Sequence, residues 1–95
     1  MILEIITPES KVFNGEIEAV QLPGKDGLFQ ILNNHAPIIS ALAEGQIKID
    51  LKSPVAKFDS ANGRVEKAGS DKQLLVHIKG GVVEMLNNKI IVLAE

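Results

Sequence analysis

The chain has 95 residues, so one domain is the default. A hydrophobic fraction of 45% argues against disorder, and a formal net charge of −2, from ten basic and twelve acidic residues, leaves no electrostatic footprint for nucleic acid. The absence of cysteine excludes disulfides, thiolate metal sites and thiol nucleophiles. Aromatic residues are limited to Phe13, Phe29 and Phe58, so the core must be built from Ile, Val and Leu, which suit strands. The apolar runs are far shorter than the roughly 20 residues a membrane helix needs. Met1-Ile2-Leu3-Glu4 carries no basic region or small-residue cleavage site, so neither a signal nor a transit peptide is expected.

Ile2 to Thr7 is a β-branched run closed by Pro8-Glu9-Ser10, which predicts a strand and a turn. Asn14-Gly15 carries a turn or bulge signal. From Glu16 the pattern alternates with Ile17 and Ala19 inward, and then Val20 and Leu22 are apolar instead. A pleated strand cannot change faces without an extra residue, so a β-bulge is expected near Ala19-Val20. Pro23-Gly24 and Asp26-Gly27 predict two closely spaced turns before the apolar run Leu28 to Leu32. The run breaks at Asn33-Asn34-His35-Ala36-Pro37. Ile38 to Leu42 follows, and Ala36 to Glu44 offers only a weak alternative as a helical turn, because Pro37 and Ile38-Ile39 oppose it.

After Glu44-Gly45, residues Gln46 to Lys52 alternate strictly, with Ile47, Ile49 and Leu51 on one face of a half-buried strand. Residues Ser53 to Asp71 read as a charged excursion, an extended hairpin or loop insertion with a type I′ signal at Asn62-Gly63. Gln73 to Lys79 is a further strand ended by Gly80-Gly81. Val82 to Leu86 and Lys89 to Leu93 face each other across Asn87-Asn88, a pair able to adopt positive φ. About ten short strands with regular turn signals predict an all-β sandwich of two antiparallel sheets in a single domain, 1–95.

No catalytic constellation assembles from these residues. His77 alternates with Val76 and Ile78 within a strand and reads as a solvent-face residue. His35 has Asp26 as its nearest acidic candidate in sequence, too little for a metal or acid–base site. Pro23-Gly24-Lys25-Asp26-Gly27 lacks the spacing of a phosphate loop and precedes no helix. Ser10 and Ser40 have no adjacent base to activate them. The residues by themselves therefore favour a non-catalytic binding or structural module, with no cofactor and no metal. One alternative is a free-standing β-sandwich that binds a small ligand, although the shortage of aromatics weighs against stacking on sugars.

The order of the motifs resembles the epsilon subunit of F-type ATP synthases. The resemblance is carried by the opening strand ILEIITPES, the element Phe13-Asn14-Gly15, the glycine-bounded polar loop, the turn Asn34-His35-Ala36-Pro37, the segment Gly80-Gly81-Val82-Val83-Glu84, and Ile90 to Ala94. It covers nearly the whole chain. It implies a β-sandwich in the central stalk of a rotary motor, a rotor subunit linking gamma to the membrane ring of c subunits and coupling ion translocation to ATP synthesis without itself catalysing it. Carried over by position, Gly24, Lys25, Asp26, Gly27 and Leu28 would face the c ring, and Thr7, His35 and Ser40 would lie toward gamma. The resemblance further implies a peripheral place on the cytoplasmic face of a bacterial inner membrane, held by the complex without inserting into lipid. Leu28 stands where an acidic residue is common, Gln30 where glycine is common, and Asn33 where proline is frequent. Many relatives continue into a two-helix C-terminal domain. With this sequence ending at Glu95, that domain and its regulation are expected to be absent, either naturally or because the chain is a shortened form.

Overall fold

Alternation between inward aliphatic and outward polar residues produces strands, and every regular element among the described residues of the computed structural model is one. It describes residues 1–53, 65–67, 69 and 72–95. Among these residues there are nine strands: β1 (Ile2–Ile6), β2 (Lys11–Gly24), β3 (Gly27–Leu32), β4 (Ile38–Leu42), β5 (Gly45–Leu51), β6 (Val65–Lys67), β7 (Gln73–Ile78), β8 (Gly81–Leu86) and β9 (Lys89–Ala94). The expected all-β sandwich forms, with nine described strands where about ten were expected. One pairing, β1 with β9, is parallel rather than antiparallel. The expected excursion from Ser53 to Asp71 lies largely outside the described residues, as does the Asn62-Gly63 turn within it.

One layer runs β4-β8-β9-β1 and takes in the first half of β2. The other contains β3, the second half of β2, β5, β7 and β6. β2 thus serves both layers. Its register against β5 steps from Ile17↔Leu51 to Ala19↔Asp50, so Glu18 is an extra residue. The bulge is therefore present, centred slightly earlier than the sequence suggested. A second shift, between Ile5↔Phe13 and Ile6↔Lys11, leaves Val12 unopposed and explains why the consecutive Val12 and Phe13 are both buried.

The core lies between the layers. Leu3, Ile5, Val20, Leu22, Ile47, Ile49, Leu74, Val76, Ile78, Val83, Met85, Ile90 and Val92 are each at most 1% exposed. Each large aliphatic side chain contributes roughly 1.5–3 kcal/mol by leaving water. Among the described residues, every buried side-chain polar atom has a hydrogen-bond partner.

Two local expectations change, and one weak alternative is set aside. Asn14-Gly15 is no turn, because Asn14 pairs with Glu4 and Gly15 with Leu3 inside a continuous β2. The Phe13 ring lies over Gly15, where a Cβ would come within 3.2 Å of its Cζ. The two turns expected at residues 23–27 are one: Gly24 and Gly27 form a closing pair around Lys25-Asp26, and Pro23 stays in the strand. A Cβ on Gly24 would stand 2.8 Å from both the Gly27 carbonyl and the Phe29 ring, so only glycine closes this hairpin. Finally, Ile38 to Leu42 is strand β4, since five paired positions along β8 outweigh one possible turn of helix.

Ile49 packs between Val20 and Leu74 in adjacent strands. Ile49→Ala is expected to lower stability by about 2–5 kcal/mol in chemical denaturation. Gly81 has φ 149°, and an added Cβ would lie 2.3 Å from the Leu93 carbonyl. Gly81→Ala should therefore cost more than the ~1–3 kcal/mol of a strained backbone conformation, read in the same assay.

Candidate partner surfaces

The β2–β3 hairpin carries all five residues placed toward the ring. Lys25, Asp26, Gly27 and Leu28 are exposed, Leu28 at 68%, and Gly24 closes the turn. The tip is braced from the side: Ala43 N–H donates to the Pro23 carbonyl at 2.8 Å, and Lys25 N–H to the Ala41 carbonyl at 3.3 Å. Both charges are thus presented on an anchored turn.

His35 lies at the other end of β3, on the order of 20 Å away given the rise of a six-residue strand. Its loop is held by Asn88 of the β8–β9 turn. The Asn88 side chain accepts from Asn34 N–H at 2.8 Å and donates to Asn33 Oδ1 at 2.8 Å. The Asn88 main-chain carbonyl also accepts from Ile2 N–H at 3.2 Å. One asparagine, at φ 61° in a type I′ turn, thereby ties three segments together. His35 Nδ1 is 2.7 Å from the Ala36 carbonyl, which can only accept, so Nδ1 carries the proton and Nε2 is the nitrogen left for a partner.

Thr7 is buried, 5% exposed. Its hydroxyl donates to the Ser10 carbonyl at 3.1 Å and accepts from Ser10 N–H at 3.2 Å, which closes the β1–β2 turn. Ser40 is half-buried in β4, with Oγ 3.5 Å from the Ala41 carbonyl. Across the order β1-β9-β8-β4, Thr7 and Ser40 are separated by three strand spacings, ~14 Å. The hairpin residues are therefore brought together, whereas Thr7, His35 and Ser40 do not form a cluster.

The largest chemical feature is the outer face of the β4-β8-β9-β1 layer. Register places Ala41, Val82, Leu93 and Ile6 in one row across it. The next row is Ile39, Glu84, Ile91 and Glu4, and Leu86, Lys89 and Ile2 form the third. Ile39 is 77% exposed and Leu93 57%. Glu4 is neutralised by Lys11 at 3.1 Å, and Glu84 stands between isoleucines. An open groove beside Glu84 is lined by Pro37, Ile38, Ile39, Met85 and Leu86. The outer face of the other layer is more polar, with Gln30, Gln21, Lys48, Leu75 and Glu66 in one row and an Asp50–Gln73 hydrogen bond of 3.0 Å, and its exposed large apolar side chains, Leu28 and Leu32, lie on the β3 edge. A contiguous apolar face on one side only is the mark of a protein contact. The residues of the apolar face were detectable in sequence because Val82 to Leu86 and Ile90 to Leu93 are apolar in both phases of the alternation. The role of Asn88 carried no such signal.

Among the described residues, no three His, Cys, Asp or Glu side chains converge as metal ligands. His77 is exposed, 3.9 Å from Glu44.

Fold and surface together define a small β-sandwich domain with one apolar and one polar outer face. The chain belongs to the ATP synthase delta/epsilon chain β-sandwich domain family, whose model matches residues 1–95. It is similar to the ATP synthase epsilon chain of Chlorobium limicola, 37% identical over 93 residues, covering 98% of this chain and 86% of that one. The ATP synthase epsilon chain of Chlorobaculum tepidum is 40% identical over 74 residues, 77% of this chain and 84% of the relative. That of Desulforamulus reducens is 38% identical over 93 residues; 98% of this chain matches, and it spans 57% of the relative's length. The fold is shared with a chain in the central stalk/c-ring structure of the Tetrahymena thermophila mitochondrial ATP synthase, at TM-score 0.69 and 18% identity over 99% of this chain and 62% of that one. A chain in the Euglena gracilis mitochondrial ATP synthase gives TM-score 0.75 and 16% identity over 99% and 49%.

Asn88→Ala removes two side-chain hydrogen bonds at an exposed site. It should cost about 1–2 kcal/mol in denaturation and speed amide exchange at Asn34 and His35.

Proposed function

We propose that this domain is a non-catalytic rotor subunit of an F-type ATP synthase, seated in the central stalk between gamma and the c ring. Family membership supports the assignment to the complex. The observation that carries the finer reading is the apolar outer face of β4-β8-β9-β1 beside an anchored polar hairpin. Such a sandwich can be gripped on two surfaces and transmit torque between them, because packed interiors resist compression.

In this reading gamma covers the apolar face. Thr7, His35 and Ser40, although apart, lie around its perimeter: Thr7 just past the end of β1, Ser40 in β4, and His35 in the loop leading into β4. Residues Gly24 to Leu28 meet the polar loops of the c ring. The subunit turns with both partners and couples ion flow to ATP synthesis without making or breaking a bond. It sits on the cytoplasmic face of a bacterial membrane, attached through the complex. The small-ligand alternative has less support, since the grooves are open and the apolar one holds a single charged residue, Glu84.

Pull-down with gamma and c-ring preparations tests the assignment. Leu93→Lys should weaken gamma binding by about tenfold or more, because it sets a charge in an apolar contact. Lys25→Glu should slow ring association and leave gamma binding and the melting temperature unchanged. Failure of the unmodified domain to bind gamma at micromolar concentration would refute the reading.

A further inference from the structure

Among the described residues, strand β3 is an open edge, and its strand partner is β2 alone. The Pro23 carbonyl points away from β3, toward Ala43 N–H, so Pro23 and Leu28 form a pair without mutual hydrogen bonds. Alternation along an antiparallel ladder then turns the main-chain groups of Leu28, Gln30 and Leu32 outward. Of these, the Leu32 carbonyl already accepts from His35 N–H at 3.1 Å. The three side chains are exposed, Leu28 at 68% and Leu32 at 55%.

Proteins normally guard such an edge with charge, proline, a bulge or short length. Among the described residues the opposite edge is β6, whose three residues include Glu66 and Lys67. β3 has six residues, none of them charged, no proline and an unbroken register with β2.

We propose that β3 pairs antiparallel with β3 of a second copy of this chain, about a two-fold axis through Gln30. The outward residues Leu28, Gln30 and Leu32 read the same in both directions, which an isologous interface requires. A charged residue on the axis would face its own copy. Gln30 has an amide, which both donates and accepts and so can hydrogen-bond to itself. In this register the two Gln30 backbones exchange N–H and C=O. Leu32 N–H of each copy reaches the Leu28 carbonyl of the other, and Leu28 packs beside Leu32 of the other copy. A strand of different sequence would satisfy the backbone groups but not the symmetric side-chain pattern. The pairing does not rest on the stalk assignment. Because it covers Leu28, it describes the free chain, and the dimer and a docked hairpin exclude each other.

Sedimentation equilibrium from about 1 µM to about 1 mM should show a monomer–dimer equilibrium, with Gln30 amide exchange slowing as concentration rises. Gln30→Pro removes an outward N–H and the amide on the axis but no hydrogen bond to β2, so it should keep the β2–β3 ladder and weaken the dimer about tenfold or more. Leu28→Lys should weaken it as well, with circular dichroism and melting showing that both variants remain folded. A monomer at every concentration would overturn the proposal. So would a dimer that survives both substitutions and disperses only with Leu93→Lys on the apolar face.

Discussion

One strand has to serve two layers, and the extra residue at Glu18 is what permits it. Before the bulge β2 pairs with β1; after it, β2 pairs with β5 and carries β3. A regular pleat would send Ile17, Ala19 and Gln21 to the core and leave Val20 and Leu22 in water. The inserted residue instead buries Ile17 and then Val20 and Leu22, and it turns Ala19, expected inward, to the outer face opposite Asp50 and Leu32. The loss is a disturbed rung of the ladder; the gain is two large aliphatic side chains in a core otherwise short of aromatic bulk. The hairpin tip, its brace on Ala41 and Ala43, and the open edge of β3 all lie downstream of that bend.

The two outer faces differ because their strands differ in composition, not in geometry. β5 and β7 place Gln46, Lys48, Asp50, Gln73 and His77 outward, with Leu75 the one large apolar residue. β8 and β9 place Val82, Leu86, Ile91 and Leu93 outward, with Glu84 and Lys89 the charged residues among them. A face that must be wet and one that must be covered are thereby written on the same scaffold. The covered face needs little charge, and its one neutralised carboxylate, Glu4, lies at the margin with Lys11. A surface ion pair of this kind contributes ~0–1 kcal/mol, so it adds little to the stability of the fold.

The rigidity of the presented elements comes from backbone and amide hydrogen bonds, not from ion pairs. The hairpin tip is held by two main-chain bonds, one to Ala41 in β4 and one to Ala43 just after it, and the His35 loop by the Asn88 amide. A docking surface preorganised in this way loses less conformational freedom on binding.

Much of the fold was legible in the sequence because strand alternation and turn chemistry are local. Ile47, Ile49 and Leu51 were assigned to the core from their spacing alone and are at most 2% exposed. Asn87-Asn88 was read as a positive-φ turn, and the φ values are 52° and 61°. The family motifs were equally local. What only the tertiary structure decided is which strands lie side by side. The parallel β1–β9 pairing, the joining of Asn88 to Asn33 and Asn34, and the separation of Thr7 from Ser40 all follow from contacts between residues far apart in sequence. Alternation fixes which side of a strand is apolar, but it holds no record of the neighbouring strand. Asn14-Gly15 shows the limit: its turn signal gave way because β1 offered the backbone a ladder and Phe13 covered the glycine.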